Sequence, residues 1–346
     1  MPGQGDFSLV QVMAGAENGG AELFFERLAE QFHHHQVDQQ IIVKPWPQRV
    51  ARLRDMGLDV RTNRMRPLLA MLDKAELHNQ ISKADPGVVL TWMNRATGFV
   101  QPGPWCLVGR LGGYYDLKYY RHCDWLVGNT KAIADWLISR GWPKDRVHHQ
   151  VNFVPEFTGE AASRQAWKTP PDVPLFVAMG RLHRNKGFDT LLDAFARLPG
   201  GILWLAGDGP ERDALRTHAV NLGILERVRF LGWQDSPLSI LAAADIFICP
   251  SRHEPFGNVI AEALSARKPV IATSSDGARQ ILSHGDDGII VPVDDASALA
   301  ASMLDMMKDK DLQLRLAVAG HQTWHNSFRP EKVVSDWLDF LQGVQR

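Results

Sequence analysis

Two cations and two carboxylates in the second half of the chain have types and spacings suited to phosphate and sugar hydroxyls. Arg181 and Lys186 lie five residues apart in Gly180-Arg181-Leu182-His183-Arg184-Asn185-Lys186-Gly187. A guanidinium grips phosphate oxygens with a planar fork, and an ammonium adds a compact charge. A helix predicted to begin near Phe188 favours an anion at its N-terminus. The alternative is a solvated loop with ordinary surface cations. Glu254 and Glu262 have seven residues between them in Glu254-Pro255-Phe256-Gly257-Asn258-Val259-Ile260-Ala261-Glu262. Gly257 lets the backbone approach a ligand and leaves the amides at the next helix start free. Carboxylates so placed accept hydrogen bonds from sugar hydroxyls. The alternative makes both of them first-turn acids favoured by the helix dipole.

Two glycine loops accompany these groups. Gly15-Ala16-Glu17-Asn18-Gly19-Gly20-Ala21-Glu22 is close to a dinucleotide fingerprint but does not match Gly-x-Gly-x-x-Gly. Gly207-Asp208-Gly209-Pro210 allows close approach of a ligand, or a plain turn into a helix.

The elements that must position these loops alternate between short apolar runs and amphipathic helical patterns. Phe7 to Met13 reads as a strand, and Ala21 to Phe32 as a helix with Phe25, Leu28, Ala29 and Phe32 on one face. Further strands are predicted at 40–43, 87–91, 106–108 and 125–128. After a Pro- and Gly-bearing stretch the alternation restarts, with strands at 175–179, 201–206, 228–230, 246–249, 269–272 and 288–291. Helices are predicted at 188–197, 211–222, 236–243 and 258–266, then through most of 296–321. A last helix, 331–341, follows Pro330. Such alternation predicts parallel sheets covered by helices. Open α/β sheets carry ligand sites at the carboxyl ends of their strands, where all four motifs fall.

In this order and spacing, Gly-Arg-Leu-x-x-x-Lys-Gly, Gly-Asp-Gly-Pro and Glu-x7-Glu resemble the family 4 retaining glycosyltransferases (GT4). The resemblance extends over nearly the whole chain and is most specific in its second half. It implies an α/β protein of the GT-B fold: two Rossmann-like parallel-sheet domains facing an interdomain cleft, with a C-terminal helix returning to the N-terminal domain. The expected divisions are an acceptor-binding domain at 1–155, a linker at 156–174, a nucleotide-sugar-binding domain at 175–326 and the returning helix at 327–346. The implied reaction moves a sugar from a UDP-, GDP- or ADP-sugar to an acceptor with retention of anomeric configuration.

Residue by residue, the resemblance implies that Arg181 and Lys186 hold the donor diphosphate and stabilise the leaving group. Glu254 would bind donor-sugar hydroxyls and Glu262 the ribose. Backbone amides of Phe256, Gly257 and Asn258 would touch sugar or phosphate. Gly180, Gly207 and Gly209 would lie near the nucleotide, and Trp233 near the base. Gly19 and Gly20 would close over the donor from the other domain. Many members carry a histidine after a middle strand of the first domain. The corresponding stretch here, Gly109 to Lys118, has none. Tyr114, Tyr115 and Asp116 are candidate acceptor contacts there, with a packed aromatic turn as the alternative.

Charge and composition narrow the class. With 38 Lys and Arg against 39 Asp and Glu, the 346-residue chain is no globally basic nucleic-acid binder. Three cysteines, Cys106, Cys123 and Cys249, suit a reducing compartment, with Cys249 read as a buried apolar residue. No signal peptide or membrane span is predicted, so the expected place is the cytoplasm or the inner face of its membrane. The near-zero balance conceals residues 44–66, where seven basic residues meet two acids for a net +5. With Trp46, Met56, Leu68 and Leu69 interleaved, that stretch suits an anionic glycan or glycolipid acceptor or an anionic membrane.

No metal is expected. Asp309-Lys310-Asp311 lies far from every strand-end motif, consecutive His33, His34 and His35 point in different directions, and His321 and His325 lack further ligands. Arg181 and Lys186 can supply the positive charge that the leaving diphosphate requires. The expectation is a bacterial lipopolysaccharide or other envelope-polysaccharide glycosyltransferase. The alternatives are a GT-B sugar-nucleotide epimerase and a non-catalytic sugar-nucleotide or glycan-binding protein.

Overall fold

The structure, a computed structural model, describes residues 7–17 and 19–345. The chain divides into two compact units, Met1–Phe153 with Pro330–Arg346, and Val154–Arg329.

The first unit has strands β1 (Ser8–Met13), β2 (Asp38–Val43), β3 (Asp59–Thr62), β4 (Val88–Trp92), β5 (Cys106–Leu111), β6 (Trp125–Gly128) and β7 (Val147–His149). They form a parallel sheet in the order β3-β2-β1-β4-β5-β6-β7. Helices cover both faces, so central strands such as β4 and β5 are buried along their whole length. The helix Gly20–His34 buries Phe24, Phe25, Leu28, Ala29 and Phe32 in this core. The final helix, Pro330–Val344, adds Val333, Val334, Trp337 and Leu341 to the same cluster. Its Phe340 ring stacks on His148 at 4.1 Å.

The second unit has β8 (Leu175–Met179), β9 (Ile202–Ala206), β10 (Val228–Gly232), β11 (Ile246–Cys249), β12 (Val270–Thr273) and β13 (Ile289–Val291). Their order is β10-β9-β8-β11-β12-β13, again parallel. This is the doubly wound order of dinucleotide-binding sheets, and the strand order reverses between β8 and β11. The helix Phe188–Phe195 packs Leu191, Leu192 and Phe195 into the core beneath.

Periodicity missed two edge strands. β3 is Asp-Val-Arg-Thr with only Val60 buried, and β7 is Val-His-His with none fully buried. Short polar edges carry too few inward side chains to stand out. The helical stretch after 296 is two helices, Ala296–Lys308 and Lys310–Ser327. They part at Asp309, whose carboxylate accepts from Leu312 N at 2.8 Å as an N-cap.

Segment 156–174 is packed against the second unit. Arg164 donates from Nε and Nη2 to Ala243 O at 3.0 and 2.7 Å, and from Nη2 to Asp245 at 2.9 Å. Thr169 accepts from Trp204 Nε1 at 2.8 Å. Its one regular element is a short 3-10 helix, Gln165–Trp167, and the segment keeps its tertiary partners despite its prolines.

Candidate active site

The reversal between β8 and β11 is where an open sheet leaves a crevice at its strand ends. The loop after β8 carries Arg181 and Lys186, and the loop after β11 carries Glu254. The two loops are stitched together. Arg252 N and His253 N donate to Asn185 O at 2.8 and 3.1 Å. Gly187 sits at φ +62°, and a Cβ there would lie 2.1 Å from Pro250 O. Only glycine fits both demands. His183 Nδ1 accepts from Asn185 N at 3.2 Å and fixes the short turn that ends in Lys186.

Within this frame Lys186 Nζ donates to Glu254 Oε2 in a partly buried ion pair. Burial opposes the ammonium charge, but the Glu254 carboxylate outweighs it and raises the Lys186 pKa. Ser251 Oγ donates to the same carboxylate oxygen at 3.3 Å. Gly277 N donates to Glu254 O at 2.7 Å, and a Cβ on Gly277 would meet Phe256 O at 2.3 Å. The 254–257 segment therefore lies tight on the helix Asp276–Ile281. The pair is a fixed positive centre beside a fixed acceptor, suited to an oxyanion next to a hydroxyl-bearing ring.

The other expected residues take varied places. Arg181 is exposed and makes no ion pair among the described residues. Gly257, at φ +92°, begins the helix Asn258–Ser265, with Phe256 buried before it and Asn258 half-buried. Glu262 is 6% exposed and lies beyond that helix's first turn, while Glu254 precedes the helix. The reading of both as first-turn acids is therefore overturned. Gly207 and Gly209 have a packing reason: Cβ atoms there would lie 2.0 Å from Gly180 O and 2.4 Å from Leu182 O. They let the loop after β9 close on the loop after β8, where Leu182 N donates to Asp208 O at 2.9 Å. Trp233, after β10, is 68% exposed and donates to Asp235 at 3.2 Å. It offers an open aromatic face.

Arg252 was missed. It donates to both Asp189 carboxylate oxygens at 2.8 Å, to Asp294 at 2.6 Å, to Arg184 O at 2.7 Å and to Thr190 at 3.1 Å. It thereby clamps the cationic loop to the Glu254 loop. Its position two residues before Glu254 was the one available signal. Cys249 is buried, and burial pushes its thiol up to about 11, as the apolar reading expects.

In the first unit the loop after β1 is occupied by its own side chain. Glu22 Oε1 accepts from Ala16 N at 2.8 Å. Cβ atoms on Gly15 and Gly19 would lie 2.2 and 2.3 Å from that carboxylate. Gly20 begins the following helix, and Asn18 lies outside the described residues. Tyr114 is exposed and meets Trp136 edge-on at 5.4 Å, while Tyr115 is half-buried. Asp116 caps the turn Leu117–Tyr119 and pairs with Lys118 at 2.7 Å.

A sequence model of the family described as glycosyl transferases group 1 matches residues 160–323. LpsE of Rhizobium meliloti (strain 1021), a lipopolysaccharide core biosynthesis glycosyltransferase, is 35% identical over 342 residues, covering 94% of this chain and 96% of that protein. This chain belongs to the group 1 glycosyltransferases. LpsD of the same organism, described in the same words, is 32% identical across 95% of this chain and 96% of its own. The crystal structure of Anabaena Alr3699/HepE in complex with UDP and glucose superposes with a TM-score of 0.85 over 97% of this chain and 100% of that one, at 20% identity. The fold is therefore GT-B with two Rossmann-like units, and the activity is glycosyl transfer.

Three remaining expectations concern a metal, a membrane span and the surface charge of this glycosyltransferase. Among the described residues, no group of three or more His, Cys, Asp or Glu side chains is placed to hold a metal. No helix among them is long and apolar enough to cross a membrane. Part of the basic stretch 44–66 is paired with acids, two outside it, Glu26 and Asp73, and one within it, Asp59. Arg49 and Arg52 both bind Glu26, at 2.8 and 2.9 Å. Arg66 binds Asp73 at 2.8 Å, and Arg61 pairs with Asp59 at 3.4 Å. A count along the sequence could not see Glu26 or Asp73.

Proposed function

We propose that this glycosyltransferase moves a sugar, with retention of configuration and without a metal, from a nucleotide-sugar donor to a saccharide of the lipopolysaccharide core or a related envelope glycan. The Lys186–Glu254 pair at the β8/β11 reversal carries the reading. Lys186 and Arg181 would meet the donor diphosphate and stabilise the charge released as the glycosidic bond breaks. Glu254 would accept from hydroxyls of the transferred sugar, and Glu262 from the ribose. The amides of Phe256, Gly257 and Asn258 would touch sugar or phosphate, and Trp233 would lie beside the base. The solved relative named with UDP and glucose favours a uridine donor. The two relatives named for lipopolysaccharide core synthesis favour that class of acceptor.

The first unit would meet the acceptor, and with it the inner face of the cytoplasmic membrane. Leu68, Met71 and Leu72 are 97%, 84% and 66% exposed on one short segment. Arg64 beside them is exposed and makes no ion pair among the described residues. That combination suits shallow insertion into an anionic bilayer.

The test is a thermal-shift screen with UDP, GDP, ADP and their sugars, followed by product analysis. Stabilisation by one nucleotide series, an α-linked product from an α-linked donor and activity unchanged by EDTA are expected. Inversion at the anomeric carbon, or loss of activity on chelation restored by a divalent ion, overturns the corresponding part.

A further inference from the structure

Arg110, the fifth residue of β5, is 1% exposed. Its Nη2 donates to Asn152 Oδ1. Its Nε and Nη1 are buried with no hydrogen-bond partner, and it makes no ion pair among the described residues. The guanidinium lies between two aromatic faces, 4.5 Å from the Trp92 centroid and 5.0 Å from Phe24. Nearby charge-bearing candidates are the phenols of Tyr115 and Tyr120, which burial pushes up and so keeps neutral at ordinary pH. Burial lowers the Arg110 pKa only to about 10, so the side chain remains a cation. A buried cation without a counter-charge is costly, and two aromatic faces return only part of that cost.

The setting indicates what would complete it. Arg110 is the last residue but one of β5, which pairs with β4 next to the reversal of the first sheet, and Asn129 follows β6. Asn129 Oδ1 is also buried without a partner among the described residues, an acceptor that a sugar hydroxyl rather than the oxyanion would satisfy, while its Nδ2 can donate. Gly112 is partly exposed and its φ lies outside the left-handed region, so its backbone does not call for glycine. A Cβ at Gly112 would lie 3.8 Å from Arg110 Nη1 and 3.9 Å from Asn129 Nδ2. Thus the space where a side chain would begin adjoins both polar groups. We propose that Arg110, with Asn129 and the side-chain-free position at Gly112, is a subsite for an oxyanion borne by a sugar, a carboxylate or a phosphate. It rests on the glycosyl-transfer reading, and it makes Arg110 the residue that selects an acidic over a neutral acceptor sugar.

The test uses the full chain, with glucuronate, glucose 6-phosphate and glucose at matched ionic strength. Isothermal titration and thermal shift are read for the wild type, Arg110→Met and Gly112→Val, with UDP as a separate arm. The acidic sugars should bind and stabilise the wild type, whereas glucose and sodium chloride should not. Glucuronate alone binding identifies a carboxylate, and glucose 6-phosphate alone identifies a phosphate. Gly112→Val leaves the guanidinium in place and fills the space, so it should weaken the acidic sugar at least ~10-fold while the UDP shift persists. Arg110→Met should do the same if it folds. Equal binding of glucose, or undiminished acidic-sugar binding in Gly112→Val, overturns the subsite. Failure of UDP to bind overturns the donor reading instead and leaves the acidic-sugar result standing.

Discussion

Both sheets reverse their strand order beside their first strand, between β1 and β4 in one unit and between β8 and β11 in the other. The two reversals are furnished oppositely. In the second unit the cation and the carboxylate sit on different loops, joined as Lys186 and Glu254, with Arg252 clamping the loops from behind. In the first unit the loop after β1 is filled by its own Glu22, and the buried cation Arg110 has no carboxylate partner among the described residues. The same topology thus yields one charged centre already assembled and one whose positive member stands alone. The first suits a ligand of constant chemistry, such as a diphosphate. The second leaves its preference to whatever the lone cation meets.

The largest expected effect breaks the assembled pair. Lys186→Ala should lower turnover by ~10²–10³, the scale for removing one charge-stabilising donor, in steady-state kinetics at saturating acceptor. Turnover within twofold of wild type would end the claim that this reversal is the reacting one. Next comes the frame. Gly187→Ala forces a side chain into Pro250 O at a positive φ and should cost roughly 1–3 kcal/mol, seen as a lowered Tm. An unchanged Tm would mean that the two loops are not locked.

A smaller effect is expected in the first unit. Glu22→Gln keeps an acceptor for Ala16 N but loses its charge, for about 0.5–1 kcal/mol by denaturant titration. A fall in turnover matching Lys186→Ala would make the two reversals equal partners and erase the contrast. The last prediction concerns acid stability. Arg66 hydrogen bonds hold the Asp73 carboxyl down to about 2, below the usual ~3.9 of an unfolded aspartate. Asp73 thus contributes stability above about pH 4 that is lost as pH falls toward about 2. Asp73→Asn should flatten that part of the stability–pH curve.

Much of the second unit was legible because its signals are local. Apolar runs of four or five residues mark β8, β9 and β11, and Gly180, Gly207 and Gly257 mark the loops after them. Arg252 was not legible as a clamp, since its partners Asp189 and Asp294 lie 63 and 42 residues away. Two of the acids that pair with the basic stretch were not legible for the same reason, Glu26 and Asp73 both lying outside it. Arg110 passed unnoticed because the predicted strand stopped at 108 and left it in the stretch that follows, whereas β5 continues to Leu111. Only burial on both sheet faces makes it exceptional.

The sequence by itself determined the alternation of elements, the loops that carry Arg181, Lys186, Glu254 and Glu262, and membership of a recognisable glycosyltransferase pattern. Those features are written in neighbouring residues, where spacing and side-chain type act directly on the backbone. Tertiary structure decided which charges are used, which are cancelled and which stand alone. Coulomb energy depends on distance in space and on exclusion from water, and neither is a function of separation along the chain.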